Sequence, residues 1–181
     1  MRLFPHIFIF VIGTIITLSS CKEKSVWEEF EGWRNANNDY FEAKSAELNS
    51  NGTYAYERIV PDWDRGSCIL MKRLKKGSGT VNPLYTSYVD VMYKGRLYDG
   101  TPFDSTYSYV DSITTLKISS TVHGFTMALT NMVEGDSYEI IIPSYLGYQD
   151  KEKGIIKPYS TLVFGIKLVK IAAYEKPYQK E

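Results

Sequence analysis

The sequence predicts an antiparallel α+β domain: a sheet wrapped on one short helix, preceded by a helical extension. Three observations carry this. Short β-branched and aromatic runs, bounded by Gly, Pro and Asn clusters, recur from residue 54 to residue 171. Only one internal segment, Thr121 to Met132, has apolar residues three or four apart, at Val122, Phe125, Leu129 and Met132. A separate helical stripe precedes the first strand signal.

The N-terminus comes first, because it decides which residues fold. Arg2 is followed by an apolar run from Leu3 to Leu18, interrupted by Pro5, His6 and Gly13. A spanning helix needs about 20 apolar residues, and this run is shorter and broken. Its charge-then-apolar order is that of a secretory signal, expected over residues 1–20. It closes on Leu18-Ser19-Ser20-Cys21, which resembles the bacterial lipobox. Cys21 is therefore expected to carry acyl chains and tie the chain to a membrane, each buried CH₂ contributing about 0.8 kcal/mol. Lys22 stands where some bacteria use Asp for inner-membrane retention, which favours the outer membrane. With Cys21 lipidated, Cys68 has no partner, and its apolar surroundings, Ser67 to Met71, suit a buried inert thiol.

Residues 21–52 form the expected tether and arm. Trp27, Phe30, Trp33, Tyr40, Phe41 and Leu48 make a stripe at helical spacing, with Gly32 and the Asn35–Asn38 cluster expected to split it into two short helices. The stripe has two readings: docking on the following domain, which is preferred, or a homodimer-forming arm. Asn49-Ser50-Asn51-Gly52 ends it as a turn.

Strands are expected at Tyr54–Val60, Cys68–Leu74, Tyr85–Leu97, Leu116–Ser119, Ser137–Ile142 and Thr161–Ile171 within a domain of residues 53–172, followed by a tail, 173–181. A sheet covered by one helix should bury one face, so these strands are expected to alternate in and out. Charge is balanced, with 21 basic and 21 acidic residues, and no basic stripe occurs, so nucleic acid is not an expected partner. The two histidines, His6 and His123, join no metal-ligand cluster, and no phosphate loop or nucleophile elbow is present, so neither metal nor cofactor is expected.

Val89 to Ser105, VDVMYKGRLYDGTPFDS, resembles the V-x-V-x-Y-x-G, L-x-D-G and F-D-S pattern of the FKBP-type peptidyl-prolyl cis-trans isomerases. LMKRLKKGSG at residues 70–79 resembles the strand and turn before it. Val122-His123-Gly124-Phe125 with Met132 and Gly135 is similar to the family's V-I-x-G-W helix and trailing M-x-x-G. Residues 142–148 resemble I-P-x-x-L-A-Y, and residues 154–164 resemble G-x-I-P-x-x-A-T-L-x-F. The resemblance implies an FKBP-like sheet, prolyl isomerase activity and proline-containing polypeptide clients. Residue by residue it implies a pocket with Phe125 as floor and Tyr93, Phe103 and Phe164 as walls. Asp104 would stand at the rim, and the Tyr148 hydroxyl and the Ile156 backbone N–H would donate to substrate carbonyls. Val122 and Leu116 would complete the lining. Gly95, Gly100 and Gly135 read as structural turns. On residue type alone, the Phe and Tyr rings equally suit a β-domain core, Asp104 a turn or cap, and Tyr148 a surface loop.

Departures are visible. Phe125 stands where the family usually has Trp, Thr121 where Val is common, and Gln149, Lys157 and Gly165 where Gly, Pro and Asp are frequent. The implied chemistry needs no acid or base: a twisted prolyl amide has lost resonance and is less polarised, so a dry apolar pocket shaped for it lowers the barrier. The competing function class is an FKBP-like chaperone or binding module with little turnover.

Overall fold

The computed structural model describes residues 24–108 and 113–173. The leader, Cys21 and nearly all of the 173–181 tail lie outside the described residues. Among the described residues, seven strands form one antiparallel sheet: β1 (Glu57–Ile59), β2 (Ile69–Lys75), β3 (Tyr88–Leu97), β4 (Pro102–Ser105), β5 (Thr114–Lys117), β6 (Ser137–Ile142) and β7 (Leu162–Ala173). The order is β1-β2-β6-β7-β3-β4, and β5 also pairs with β3. Strand β3 is long enough to hold both partners on one side. Its first half, Tyr88–Val91, pairs with β5, and Lys94–Arg96 pairs with β4. This divided edge opens the sheet beside the ring of Tyr93.

Helix α3 (His123–Thr130) fills one face. Phe125, Met127, Ala128 and Leu129 are buried there with Ile69, Met71, Val89, Val91, Ile140, Ile142, Leu162, Phe164, Ile166 and Leu168. Gly124 is what lets the helix come this close. A Cβ at that position would lie 2.3 Å from Cγ2 of Ile142.

The expectation of one buried face is corrected. Cys68, Leu70, Ile141 and Val163 point to the opposite face and are buried with Phe41 and Tyr56. Hence Ile140-Ile141-Ile142 runs apolar without a break: the helix α3 side takes the first and third, and the arm side takes the second. Beyond the arm's cover, β7 returns to alternation, with Gly165 and Lys167 between buried Phe164, Ile166 and Leu168.

The arm comprises α1 (Val26–Glu29) and α2 (Glu31–Ser45). Ser25 and Glu28 form a reciprocal capping box at the start of α1. The break falls at Phe30, not at the asparagine cluster. Asn37 is fully buried inside α2 and holds the arm down: its Oδ1 accepts the Thr161 N–H at 2.7 Å and its Nδ2 donates to the Trp33 carbonyl at 2.8 Å. Trp33 Nε1 donates to Ser160 Oγ at 3.0 Å. The Arg34 guanidinium lies 3.3 Å from the Trp27 ring centroid, and Trp27 meets Tyr159 edge-on at 5.4 Å. The stripe therefore packs on its own domain through Trp33, Tyr40 and Phe41, while Trp27 and Leu48 stay exposed.

Several boundaries move. Only Glu57–Ile59 of the expected 54–60 strand pairs in a ladder, Tyr54 making a single bridge to Leu48. The strand expected at 116–119 occupies Thr114–Lys117, because Ile118, fully buried, turns into a 3₁₀ segment whose carbonyl accepts the hydroxyls of Thr121 and Thr126. The expected 121–132 helix starts at His123, since Val122 is its extended N-cap.

Candidate functional site

On the edge of β3 away from β7, the β5 ladder stops at Val91 and the β4 ladder starts at Lys94, leaving Tyr93 between them. Its backbone is clamped where the β4 ladder ends: the Tyr93 N–H donates to Thr106 Oγ1 at 3.0 Å, and that hydroxyl donates to the Tyr93 carbonyl at 3.3 Å. Phe103 and Asp104 come from β4, with Asp104 in register with Gly95. Val122 and Phe125 come from the N-terminal turn of α3, Phe164 from β7 and Leu116 from β5. Tyr148 follows the 3₁₀ turn Ser144–Leu146.

These elements bring four rings into one edge-to-face cluster. Phe125 and Phe164 are 5.0 Å apart between centroids at 72°. Tyr93 stands 5.8 Å from Phe125 and 6.0 Å from Phe164, at 76° and 75°. Phe103 meets Phe164 at 5.4 Å and 89°. Perpendicular rings set the positive edge of one against the negative face of the next, worth about 0.5–1.5 kcal/mol per pair beyond burial. The cluster forms the wall and floor of a cleft of about 350 Å³, lined by Tyr93, Asp104, Leu116, Ser120, Thr121, Val122, Phe125, Tyr148, Lys153 and Phe164. Phe125 is buried, so the apolar base is in place with Phe instead of Trp.

Two of the sequence assignments shift. Phe103 does not line the cleft. Its ring packs behind Phe164 and braces it, because β4 lays it across Gly95. Ile156 is buried in the main core, and its N–H donates to the Lys153 carbonyl at 3.0 Å, so a donor role toward substrate requires that turn to open. Tyr148 makes no ring contact with the other four among the described residues, yet it lines the same cleft.

Gly95 is the site residue that sequence reasoning missed. It is not a turn: it lies inside β3, buried. A Cβ there would sit 2.7 Å from Cε2 and Cζ of Phe103 and 2.8 Å from Cε1 of Phe164. Its missing side chain is the space the two rings occupy. The signal was its place two residues after Tyr93, in strand rather than turn surroundings. The Thr106 hydroxyl and the Val122 backbone N–H were also missed. The Val122 N–H has no acceptor among the described residues, which leaves a backbone donor at the cleft wall.

The polar equipment is sparse. The Tyr93 hydroxyl donates to Asp104 Oδ2 at 2.8 Å. Burial, reinforced by that carboxylate, holds the Tyr93 hydroxyl well above its ordinary range. Burial first, then the Asp104 charge, raises Tyr148 too. Both remain O–H donors at neutral pH. His123 is exposed and lines a different groove, so among the described residues no histidine lines the cleft. The arrangement can hold a small apolar ring on aromatic faces, offer hydrogen bonds to flanking carbonyls, and exclude water.

Residues 79–169, half of the chain, match the family described as FKBP-type peptidyl-prolyl cis-trans isomerase. Over 89 residues the chain is 42% identical to the FK506-binding protein 2 of Debaryomyces hansenii, covering 49% of this chain and 66% of that protein. Over 101 residues it is 36% identical to the Outer membrane protein MIP of Legionella longbeachae, covering 55% of this chain and 42% of that protein. The chain thus spans about two fifths to two thirds of the length of these curated relatives. Among solved structures, a peptidyl-prolyl cis-trans isomerase from Pseudomonas syringae superposes with a TM-score of 0.64 at 29% identity, covering 78% of this chain and 94% of that one.

Proposed function

The chain belongs to the FKBP-type peptidyl-prolyl cis-trans isomerase family, and from that premise we propose that its cleft catalyses rotation about Xaa-Pro bonds in polypeptide clients. The observation that carries this is the edge-to-face cluster of Tyr93, Phe125 and Phe164, with Phe103 behind it, opening onto a cleft whose carboxylate, Asp104, is already engaged by Tyr93. The uncatalysed barrier is about 18–20 kcal/mol, and rotation takes tens to hundreds of seconds. Bringing the step to about a millisecond takes roughly 7 kcal/mol of preference for the twisted amide over the planar one.

Each group has a part. Phe125 supports the prolyl ring from below and Tyr93 and Phe164 stand beside it, excluding water from an amide that has lost its polarised resonance. Val122 and Leu116 close the apolar lining. The Tyr148 hydroxyl, and the Val122 N–H, hold the carbonyls on either side so that rotation occurs about one bond. Asp104 orients Tyr93. No proton is transferred. Protease-coupled turnover of an Ala-Leu-Pro-Phe peptide tests this: wild-type acceleration that collapses in Asp104→Ala and Phe125→Ala is expected. No acceleration by the wild type, with retained binding to unfolded chains, would favour the binding-module reading instead.

The full chain is read as a leader (1–20), a lipid-bearing tether and arm (21–52), the isomerase domain (53–172) and a tail (173–181). The relative named Outer membrane protein MIP supports a cell-envelope location, and we place this chain there through acylation of Cys21, on the outer membrane. Expression of the full chain in a bacterial host fed an alkyne-tagged fatty acid tests the anchor: label on the wild type and none on Cys21→Ser is expected, and an unlabelled wild type refutes it.

A further inference from the structure

A second groove, of about 430 Å³, runs along the other flank of α3 and is lined by Val60, Trp63, Tyr85, His123, Thr126 and Met127 among others. Its rim is apolar and open: Trp63 is 68% exposed, Tyr85 60% and Val60 46%. Large aromatics left in water together mark a surface that something covers. They are held there by braced turns. Asp64 accepts the Gly66 N–H at 2.9 Å and the Ser67 hydroxyl, fixing the loop that carries Trp63. The Leu84 N–H donates to Ser87 Oγ at 2.9 Å, and Ser87, fully buried, returns its N–H to the Leu84 carbonyl, fixing the turn that carries Tyr85.

The groove adjoins the cleft across the N-terminus of α3. Val122 and Thr121 line the cleft, while His123 and Thr126 line the groove. The Thr121 and Thr126 hydroxyls lie 2.9 Å apart and join the two walls at the N-terminus of α3. A helix with side chains is about 10–12 Å across, and an extended chain advances about 3.3 Å per residue. Three to four client residues, roughly, therefore carry a chain from one to the other.

We propose that this groove is an accessory subsite for the client itself, taking an apolar or aromatic side chain about three to four residues from the proline. This rests on the isomerase reading of the cleft and names its preferred substrate: an unfolded polypeptide with a large apolar residue at that distance, not an isolated Xaa-Pro unit. The occupant is a flanking client segment because residues adjacent in the chain, Val122 and His123, line the cleft and the groove respectively. Its ionisable walls are Asp62 and His123; the rest of the lining is uncharged, apolar at Ile59, Val60, Trp63 and Met127 and polar at Thr126, Thr130 and Asn131.

The test compares three peptides sharing an Ala-Leu-Pro-Phe centre: the bare tetrapeptide, a peptide of about twelve residues with Tyr or Leu four places either side of the proline, and the same peptide with Ser there. The wild type is expected to turn over the apolar long peptide with kcat/KM roughly tenfold above the Ser version, and Trp63→Ala or Tyr85→Ala to reduce that ratio to about twofold or less. Both variants alter exposed residues, and thermal melts confirm their folds. Equal values for the two long peptides with the wild type, or a ratio that neither variant changes, overturns the subsite. If no peptide is turned over at all, the isomerase reading fails separately. Anisotropy with the labelled long peptides then decides the groove: about tenfold weaker binding of the apolar peptide by Trp63→Ala supports it, and equal binding overturns it.

Discussion

Replacing Gly95 with Ala adds one methyl group at the point where the cleft's aromatic wall is tightest. Its Cβ would meet Phe103 at 2.7 Å and Phe164 at 2.8 Å. Carbon atoms prefer about 3.5–4.0 Å, so the rings must retreat by about 1 Å. Overpacking of this kind costs about 1–3 kcal/mol, and the stiffer unfolded chain returns about 0.4–1 kcal/mol. A net loss of about 1–2 kcal/mol is expected in urea denaturation. The effect on turnover should be larger in proportion. Phe164 contacts Tyr93 and Phe125, so its displacement spreads through the cup. A misplacement of about 1 Å in a positioned site can cost on the order of 10²-fold, so a 10- to 100-fold loss of kcat/KM is expected. Gly165→Ala is the control. It lies next to Phe164 in β7, paired with Lys94, and a Cβ there meets nothing within 4 Å. Its stability should stay level or rise by about 0.4–1 kcal/mol, with wild-type turnover. If Gly95→Ala proves as stable and as active as Gly165→Ala, the claim that Gly95 makes room for the cup is wrong.

Other outcomes follow from the same geometry. Tyr93→Phe removes the hydroxyl that Asp104 holds and should lower kcat/KM by roughly tenfold with little change in the urea midpoint, the bond being at the exposed rim. Tyr56, Tyr93, Tyr145 and Tyr148 all have hydroxyls raised by burial. The unfolded chain then releases these protons first, near its ordinary value of about 10, while the folded chain keeps them. Stability should be unaffected by these tyrosines through neutral pH and fall as pH rises above about 10, measured by urea melts along a pH series. Asn37→Ala leaves the buried Thr161 N–H without its acceptor and should cost about 1–3 kcal/mol, with turnover of the tetrapeptide near wild type because neither Asn37 nor Thr161 lines the cleft. Cys68 is 2% exposed, with its thiol pushed up first by burial, so a thiol reagent should modify it only as fast as the domain unfolds. Prompt modification in native buffer would contradict the packing of that face.

The sheet and its helix were legible because their periods are clean. Ile69 and Met71 against Leu70, and Leu162 to Leu168 at every second place, state which side each residue faces. What misled was the premise of a single covered face. The unbroken Ile140–Ile142 run already signalled two, and α2 supplies the second cover. Gly32 and the Asn35–Asn38 cluster predict a split because glycine and asparagine weaken isolated helices, whereas the long-range bond from the Thr161 N–H to Asn37 overrides local propensity. Tyr93, Asp104, Phe125, Tyr148 and Phe164, which line one cleft, could be named as candidates from motif order. The displacement of Phe103 behind Phe164, and the use of the Ile156 N–H by Lys153, could not, since both depend on the three-dimensional path of β4 and of the 149–156 turn. Gly95 was mistaken for a turn because a glycine's function as empty space leaves no mark in composition.

Catalysis by this cleft requires a prolyl ring seated against Phe125, Tyr93 and Phe164 and its amide released from planarity there. Two-dimensional exchange NMR on the Ala-Leu-Pro-Phe peptide, with catalytic amounts of the wild-type chain, measures both. Cis–trans exchange shortened from tens of seconds to milliseconds, with proline ring protons shifted upfield by the aromatic faces, is the expected result. A peptide that binds with its proline resonances unshifted and its exchange rate unchanged would contradict it.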